Sequence, residues 1–281
     1  MKRVIFNQKG GVGKTSIACN LAAALTLKGR KVLVVDLDAQ ANTTNYLLGD
    51  KASGVDKTIA DFFSATLSFK LFKDSLRDTI YPTAFKNLYV IPAEPALKEL
   101  QPKLEGRYKI FKLREAIDAT VEKLGVDDVI FDTPPALNFY SMSSMLAADR
   151  VLIPFDCDAF SAEAITTVME IVDEVAADHC PDLEVEGVII NHFQAQAKLP
   201  ASLIDSLIGE GYNVLSPYLG SSIVMKESHS ACKPLVYFKP KHKLTMQFQE
   251  LADGLVKTSK QMAKAKKQKT ASKSSEKDQS L

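Results

Sequence analysis

The sequence feature that most constrains this chain is a glycine- and lysine-rich segment near its start, Gln-Lys-Gly-Gly-Val-Gly-Lys-Thr at residues 8–15. An apolar run at residues 4–6 precedes it and predicts a short buried strand, and residues 17–25 after it predict a helix. A glycine-rich turn between a strand and a helix attracts anions, because backbone N–H groups turn inward and the helix dipole adds positive charge. We therefore interpret residues 8–15 as a phosphate-binding loop.

Two side chains of this loop suit a nucleotide polyphosphate and its Mg²⁺. Lys14 would reach the β- and γ-phosphates, and the Thr15 hydroxyl would ligate Mg²⁺. The G-x-x-x-x-G-K-[ST] pattern has glycine at its first position, whereas this chain has Gln8 there and a second lysine, Lys9, beside it. The residues predicted to bind the nucleotide in this segment are Lys9, Gly10, Gly11, Val12, Gly13, Lys14, Thr15 and Ser16.

Apolar runs and amphipathic runs alternate along the rest of the chain. Further strands are predicted at residues 31–36, 87–92, 128–132, 150–154 and 185–190. Helices are predicted at residues 14–28, 58–63, 69–76, 107–124, 162–178, 198–208 and 243–262. This alternation predicts an α/β fold, a mainly parallel twisted sheet with helices on both faces. Residues 1–262 are expected to form one domain, followed by a lysine-rich, disordered tail at residues 263–281.

Acidic residues follow two of the predicted strands. Asp36 and Asp38 end the second strand, and Asp132 ends the strand at residues 128–132. Open α/β sheets bind their ligands at the carboxyl ends of the strands, so these carboxylates are expected beside the phosphate-binding loop.

Residues 9–15 are similar to the deviant Walker A motif of the ParA/MinD family of P-loop ATPases. Over residues 2–256 the chain most resembles the ParA partition ATPases. The resemblance implies the P-loop NTPase fold, ATP and Mg²⁺ as cofactors, and ATP hydrolysis that is weak until a partner protein stimulates it.

The resemblance also assigns roles to the strand-end acids. Asp132 matches the Walker B acid, which holds Mg²⁺ through a water, and Asp36 and Thr15 are the other predicted metal residues. Asp38 matches an acid that helps to position the attacking water, because hydrolysis needs a water in line with the γ-phosphate. The family usually has proline where this chain has Ala39, and it often has cysteine where this chain has Thr133.

Lys9 is the residue that distinguishes this loop from other phosphate-binding loops. In related ATPases the matching lysine crosses a dimer interface and contacts the phosphates bound to the other subunit. A cation delivered in this way offsets charge that develops during phosphoryl transfer, as an arginine finger does. Lys9, Lys14 and Asp38 are therefore the predicted catalytic residues, and the chain is expected to form an ATP-dependent homodimer.

Asn191 follows the predicted strand at residues 185–190, where the family often places an adenine contact. Asparagine is also common in turns for local reasons, so the two interpretations stay open.

Basic residues gather in the C-terminal third of the chain. Residues 233–243 contain four lysines, a histidine and two aromatic residues but no acid. Such a surface would bind DNA phosphates without sequence preference, as partition ATPases do when they are ATP dimers, although a solvated basic face is the alternative. An arginine that relatives carry near residues 221–222 is absent. The candidate DNA-binding residues are Lys198, Lys226, Lys239, Lys241 and Lys243.

Composition and charge argue against several classes of protein and assign few functions. The net charge is +1, but residues 257–281 carry eight lysines against two acids, so this tail is +6 and the remainder is −5. The four cysteines, Cys19, Cys157, Cys180 and Cys232, lie far apart and predict reduced thiols, not a metal cluster. The sequence shows neither a signal peptide nor a run of about 18 apolar residues, and a cytoplasmic, nucleoid-associated protein is expected.

Three functions fit these features. The first is a ParA-like switch that binds nonspecific DNA and positions DNA or a large protein cargo, with a ParB-like or adaptor protein that stimulates hydrolysis. The second is a MinD-like membrane-cycling ATPase, but residues 263–280 lack the bulky apolar side chains of a membrane-binding helix, so no stable membrane anchor is expected. The third is a metabolic P-loop enzyme that acts on a small molecule.

Overall fold

The computed structural model describes residues 1–68, 75–156, 161–194, 196 and 198–278, with side chains except at residues 161–164, 198, 199 and 262–278. Eight strands form one sheet in the order β3-β4-β2-β5-β1-β6-β7-β8. The strands are β1 (Lys2–Ile5), β2 (Val32–Asp36), β3 (Tyr81–Pro82), β4 (Leu88–Ile91), β5 (Asp128–Asp132), β6 (Arg150–Asp156), β7 (Glu184–Asn191) and β8 (Val214–Leu215). All neighbouring pairs are parallel except β3 with β4, which confirms the predicted, mainly parallel sheet.

Helices cover both faces of this sheet. They are α1 (Lys14–Thr26), α2 (Asn42–Leu48), α3 (Ile59–Leu67), α4 (Leu97–Glu105), α5 (Lys112–Leu124), α6 (Phe139–Ala147), α7 (Ser161–Asp178), α8 (Lys198–Gly209), α9 (Ile223–Ser230), α10 (Leu235–Phe238) and α11 (Lys243–Asp278). Strand residues alternate between the two sides: Val4 packs in the core with α3 to α8, and its neighbour Ile5 packs in the core with α1, α2 and α9 to α11. Because both faces are buried, the strands are almost continuously apolar.

Most predicted elements are present, with differences at their limits. The helix predicted at residues 107–124 begins only at Lys112, because Tyr108 adopts a left-handed φ of 51° that no α-helix contains. Two strands, β3 and β8, were not predicted, since each has two residues and lies at an edge of the sheet. Of the helix predicted at residues 69–76, positions 69–74 lie outside the described residues.

The last helix continues past the predicted end. Its backbone is helical to Asp278, whereas the sequence predicted an end at Met262 and a disordered tail from residue 263. The physical reason is composition, since nine of residues 263–278 are lysine or alanine, which favour helices, and none is glycine or proline. The division of the chain at residue 262 stays a prediction.

Candidate nucleotide site

The phosphate-binding loop lies at the centre of the carboxyl edge of the sheet, between β1 and α1. Gly11 and Gly13 have φ values of +81° and +90°, which favour glycine. A Cβ on Gly13 would also lie 2.3 Å from Nδ2 of Asn191, which itself donates to the Val12 carbonyl oxygen at 2.9 Å. Asn191 therefore holds the loop closed against the end of β7. The predicted adenine contact is not tested by this arrangement.

Lys14 places its ammonium group inside the loop. Its Nζ donates to the carbonyl oxygens of Asn7 and Lys9 at 2.9 and 3.0 Å, and the side chain is buried. Burial lowers the pKa of Lys14, while the negative charges of Asp132 and Asp38 oppose that shift. The loop thus concentrates a cation where the sequence predicts the phosphates.

Lys9 belongs to the same loop and is partly exposed. Its backbone N–H donates to Oδ1 of Asn7 at 2.9 Å, and its carbonyl oxygen accepts from Lys14. These bonds fix the backbone at Lys9, and a role of its side chain across a dimer interface stays a prediction.

Asp132 lies directly behind the loop, at the end of β5. Its Oδ2 accepts hydrogen bonds from the hydroxyls of Thr15 and Thr43 at 2.7 and 2.8 Å. Its Oδ1 is buried and has no hydrogen-bond partner among the described residues. Such an atom is expensive to bury unless something pairs with it, and a carboxylate next to a threonine hydroxyl is a donor set that Mg²⁺ prefers. The residues therefore fit the predicted metal.

Asp36 ends β2 and is the register partner of Asp132 on the adjacent strand. Its Oδ1 accepts from the backbone N–H of Asp38 at 3.1 Å, and its Oδ2 accepts from both the backbone N–H and the hydroxyl of Thr44. Asp36 thus holds the loop that carries Asp38 and the start of α2. A direct role in metal binding stays a prediction.

Asp38 is partly exposed on the loop after β2. Its Oδ1 accepts from the backbone N–H of Gln40 at 2.9 Å, and the loop then passes through Ala41, which has a left-handed φ of 54°. The charge of Asp38 acts on both Lys14 and Asp132, so the three lie within one electrostatic environment.

The two buried carboxylates are costly to ionise. Burial raises the pKa of Asp36 to about 8 and that of Asp132 to about 6. The charge of Asp132 adds to the shift at Asp36, whereas the Thr15 and Thr43 hydroxyls oppose the shift at Asp132. A cation bound here would favour the ionised forms.

A cavity of about 390 Å³ opens beside the loop. It is lined by Gly11, Gly13 and Ser16 of the loop region, by Asn191 and His192 after β7, by Gly220, Ser221 and Ser222, and by Met225, Lys226, His229 and Leu244. Its position next to the phosphate-binding loop makes it the candidate space for the nucleotide base.

Sequence reasoning did not identify three residues of this site. Thr43 and Thr44 contact the two acids, and His229 approaches Ser16. A pair of hydroxyl residues shortly after a strand-end acid was the available signal for the threonines. His229 lies more than 200 residues from the loop in sequence and had no comparable signal.

The candidate DNA-binding lysines have different surroundings. Lys226 lines the cavity beside the loop, Lys243 lines a neighbouring one, and Lys241 is exposed. The ammonium of Lys239 pairs with Glu227 at 2.7 Å. The side chain of Lys198, at the start of α8, lies outside the described residues, and a role in DNA binding is not tested for any of the five.

The described part of the chain can be searched for metal-binding clusters and for membrane-spanning helices. There, no group of three or more histidine, cysteine or acidic side chains is placed to hold a metal ion, and Cys19, Cys180 and Cys232 are free thiols. Cys157 lies outside the described residues. None of the described helices is both long and apolar enough to cross a bilayer.

Comparisons with known structures give the same fold. A cobyrinic acid a,c-diamide synthase from Mycobacterium smegmatis, with bound ATP analogue and magnesium, superposes with a TM-score of 0.77 at 23% identity. That match covers 92% of this chain and 95% of the other. The septum site-determining protein MinD from Pyrococcus horikoshii, in complex with Mg-ADP, gives a TM-score of 0.70 at 26% identity over 92% and 96% of the two chains.

Comparisons of sequence identify the family. A family model described as an AAA domain matches residues 2–185. The chromosome partitioning protein ParA of Myxococcus xanthus is 31% identical over 244 residues, which are 85% of this chain and 82% of that protein. With the loop and acids described above, these matches show that this chain belongs to the ParA/MinD family of P-loop ATPases.

Proposed function

We propose that this protein is an ATP-hydrolysing homodimer that binds DNA without sequence preference and positions a DNA or large protein cargo. The observation that carries the proposal is Asp132 Oδ1, a buried carboxylate oxygen without a partner among the described residues, beside Thr15 and the buried ammonium of Lys14. This combination suits Mg²⁺ and a polyphosphate together.

The residues of the phosphate-binding loop and Asp132 would divide the work of nucleotide binding between phosphate and metal contacts. The loop N–H groups at Gly10 to Thr15 and the ammonium of Lys14 would bind phosphate oxygens, and Thr15 and Asp132 would hold Mg²⁺. Bound Mg²⁺ would neutralise phosphate charge and orient the phosphate oxygens. Lys14 is already held in the loop by two carbonyl oxygens, which supports a preorganised site.

Hydrolysis requires a water oriented toward the γ-phosphate, and Asp38 is the residue assigned to it. Its backbone N–H is held by Asp36, and Asp36 is in turn held by Thr44 of α2. A change in α2 would therefore move Asp38, which suits an ATPase that stays slow until a partner acts. We propose a ParB-like or adaptor protein as that partner.

Lys9 would link nucleotide binding to dimerisation by contacting the phosphates of the other subunit. Its rigid backbone supports this role, because less conformational freedom is then lost when the side chain is immobilised. The matched test compares Lys9→Ala with Lys86→Ala, an exposed lysine in the turn between β3 and β4. Light scattering with Mg-ATP should show that only Lys9→Ala stays monomeric. A normal dimer in Lys9→Ala would remove the trans role.

The experiment that tests the whole proposal uses the Asp38→Ala variant with Mg-ATP, nonspecific DNA and anionic liposomes. We expect slow ATP turnover and a dimer that stays on DNA, with affinity that falls steeply as salt rises. Binding to liposomes but not to DNA would favour a MinD-like membrane cycle. Normal ATP turnover in the variant would contradict the role of Asp38.

The proposed function also implies where in the cell the protein would be found. A protein with this activity would be cytoplasmic and associated with the nucleoid whenever ATP is bound. The lysines near the C-terminal third, including Lys226, Lys241 and Lys243, are the proposed phosphate contacts.

A further inference from the structure

His229 on α9 contacts the phosphate-binding region from the opposite side of the cavity. Its Nε2 lies 3.0 Å from Oγ of Ser16, the residue that follows Thr15. His229 also lines two cavities, the one of about 390 Å³ that reaches Gly11 and Gly13 and a second of about 380 Å³ that reaches Thr15. The imidazole therefore borders both cavities.

The ring of His229 is held in place by its neighbours. It stacks on the ring of Tyr46 from α2, with centroids 4.0 Å apart and planes inclined by 14°. The Tyr46 hydroxyl lies 2.5 Å from Oγ of Ser228, which donates to the Lys233 carbonyl oxygen at 2.6 Å. The residue before His229 is thus tied both to α2 and to the chain before α10, so α9 has little freedom to carry the ring away from Ser16.

The Ser16 hydroxyl has one proton to donate, and its direction depends on His229. If Nε2 carries no proton, Ser16 must donate to the imidazole, and its proton is used there. If Nε2 carries the proton, Ser16 accepts, and its own proton is free to point at an anionic oxygen. The described residues provide no hydrogen bond to Nδ1 of His229 that would hold the proton on that nitrogen.

We propose that His229 is a positioning residue that donates its Nε2–H to Ser16 Oγ and so directs the Ser16 hydroxyl proton at a phosphate oxygen of the bound nucleotide. This inference rests on the nucleotide binding proposed above and adds a residue to that site. Both the neutral Nε2–H tautomer and the imidazolium can make this bond, so it does not require a particular charge on the ring. Burial lowers the pKa of His229, which favours the neutral ring.

Three variants test the bond separately from the packing. His229→Phe keeps an aromatic ring against Tyr46 and removes the donor. His229→Gln removes the ring and restores an amide N–H at a similar reach, and His229→Asn has a shorter side chain that does not reach as far. His179→Phe, an exposed histidine after α7 on the far side of the sheet, is the matched control.

The measurement is the dissociation constant of a fluorescent, non-hydrolysable ATP analogue with Mg²⁺, in the full chain. We expect His229→Phe and Ser16→Ala each to weaken binding roughly tenfold, as the loss of a hydrogen bond to a charged group does. The double variant should also lose roughly tenfold instead of a hundredfold, because both changes remove one interaction. His229→Gln should bind within about threefold of the unchanged protein, His229→Asn should resemble His229→Phe, and His179→Phe should bind normally.

Other results would overturn the inference in different ways. Independent effects in the double variant, or normal binding by His229→Phe, would show that His229 does not act through Ser16 while leaving the proposed ATPase intact. If His229→Phe does not fold, equal binding by the glutamine and asparagine variants would overturn the inference instead. If the unchanged protein does not bind the analogue, both the inference and the proposed function fail.

Discussion

Strand β5 carries an aspartate at each of its ends, and the two carboxyl groups differ in the cations that compensate them. Asp128 and Asp132 are both almost completely buried. Asp128 accepts from Arg3 at 3.0 Å and also pairs with Arg30. Asp132 receives two threonine hydroxyls on one oxygen, and its other oxygen has no partner among the described residues. Only three residues of one strand separate an acid paired with two cations from an acid that has no cation in direct contact among the described residues.

The groups around Asp128 and Asp132 show the same difference in charge compensation between the amino and carboxyl edges of the sheet. At the amino edge Arg3 also binds Glu186 of β7, with Nε to Oε2 at 2.5 Å, and donates to Ser259 of α11 at 2.7 Å. At the carboxyl edge the residue opposite Asp132 on the adjacent strand is Asp36, which is a second buried carboxyl group instead of a cation. The amino edge therefore holds a cluster of paired, opposite charges that joins distant parts of the chain. The carboxyl edge keeps two buried carboxyl groups whose ionised forms a bound cation would stabilise.

The largest effect is expected from Arg3→Met. It leaves Asp128 and Glu186 buried with less compensation, so the free energy of unfolding should fall by about 3–5 kcal/mol. Urea unfolding without nucleotide measures this. Lys28→Met is the control, because it breaks an ion pair between Lys28 and Asp253 in which both side chains are substantially exposed. It should lower the free energy of unfolding by less than about 1 kcal/mol. Equal effects would mean that the amino-edge cluster contributes no more than a surface pair.

The second prediction concerns pH. Because the pKa values of Asp36 and Asp132 are raised, the folded state binds more protons than the unfolded state between about pH 4 and pH 8. These two groups should therefore lower the free energy of unfolding as pH rises through that window. Asp36→Asn removes one titration, so the loss of unfolding free energy between pH 5 and 8.5 should be smaller in the variant by about 4 kcal/mol.

Urea titrations at several pH values, with EDTA and without nucleotide, measure that difference. The variant should be less stable than the unchanged protein at pH 5, because an amide has only one oxygen for the three N–H and O–H donors that Asp36 now accepts. The difference should narrow or reverse as pH rises. Parallel curves would show that Asp36 is not destabilised by its charge.

A third prediction compares the same substitution at both ends of β5. At pH 8, Asp132→Asn should raise the free energy of unfolding of the nucleotide-free protein by about 1–2 kcal/mol, because a buried charge is removed. Asp128→Asn should lower it by about 2 kcal/mol, because Arg3 and Arg30 lose an ionic partner.

Nucleotide binding separates the two substitutions further. Asp132→Asn should weaken Mg²⁺-dependent binding of an ATP analogue at least tenfold, since the side chain that would hold the metal through a water loses its charge. Asp128→Asn should leave that affinity nearly unchanged in the folded fraction. A loss of stability in Asp132→Asn would show that the carboxylate is compensated by something other than the groups named here.

The two edges also differ in how far the sequence predicts them. Asp36, Asp38 and Asp132 follow apolar strands beside a glycine-rich loop, so local pattern and fold class together placed them at the carboxyl edge. The amino-edge cluster joins Arg3, Asp128 and residues of β7 and α11, and no local pattern contains it. Pairing between residues that are distant in sequence becomes visible only once the strand order is known.

Local conformation explains other differences between sequence and structure. The helix α6 was not predicted, although Asn138 caps it by accepting from the backbone N–H of Tyr140 and Ser141. Its many small and hydroxyl side chains are buried, so it has no polar face to create a helical period. The helix α4 was not predicted either, and it contains Pro102, a residue that disfavours helix interiors.

The smallest predicted effect contrasts two hydroxyl groups, one at each edge. Thr43→Val removes one donor to Asp132, and Ser259→Ala removes an acceptor from Arg3. Each should lower the free energy of unfolding by about 1 kcal/mol. The effects should respond differently to pH, because the Thr43 hydroxyl stabilises the ionised form of Asp132, whereas Arg3 stays charged throughout. Urea unfolding at pH 5 and pH 8 should give a larger effect at pH 8 for Thr43→Val and an unchanged effect for Ser259→Ala. If both effects are independent of pH, the Thr43 hydroxyl does not stabilise the charge of Asp132, and the contrast between the two ends of β5 rests on the arginines alone.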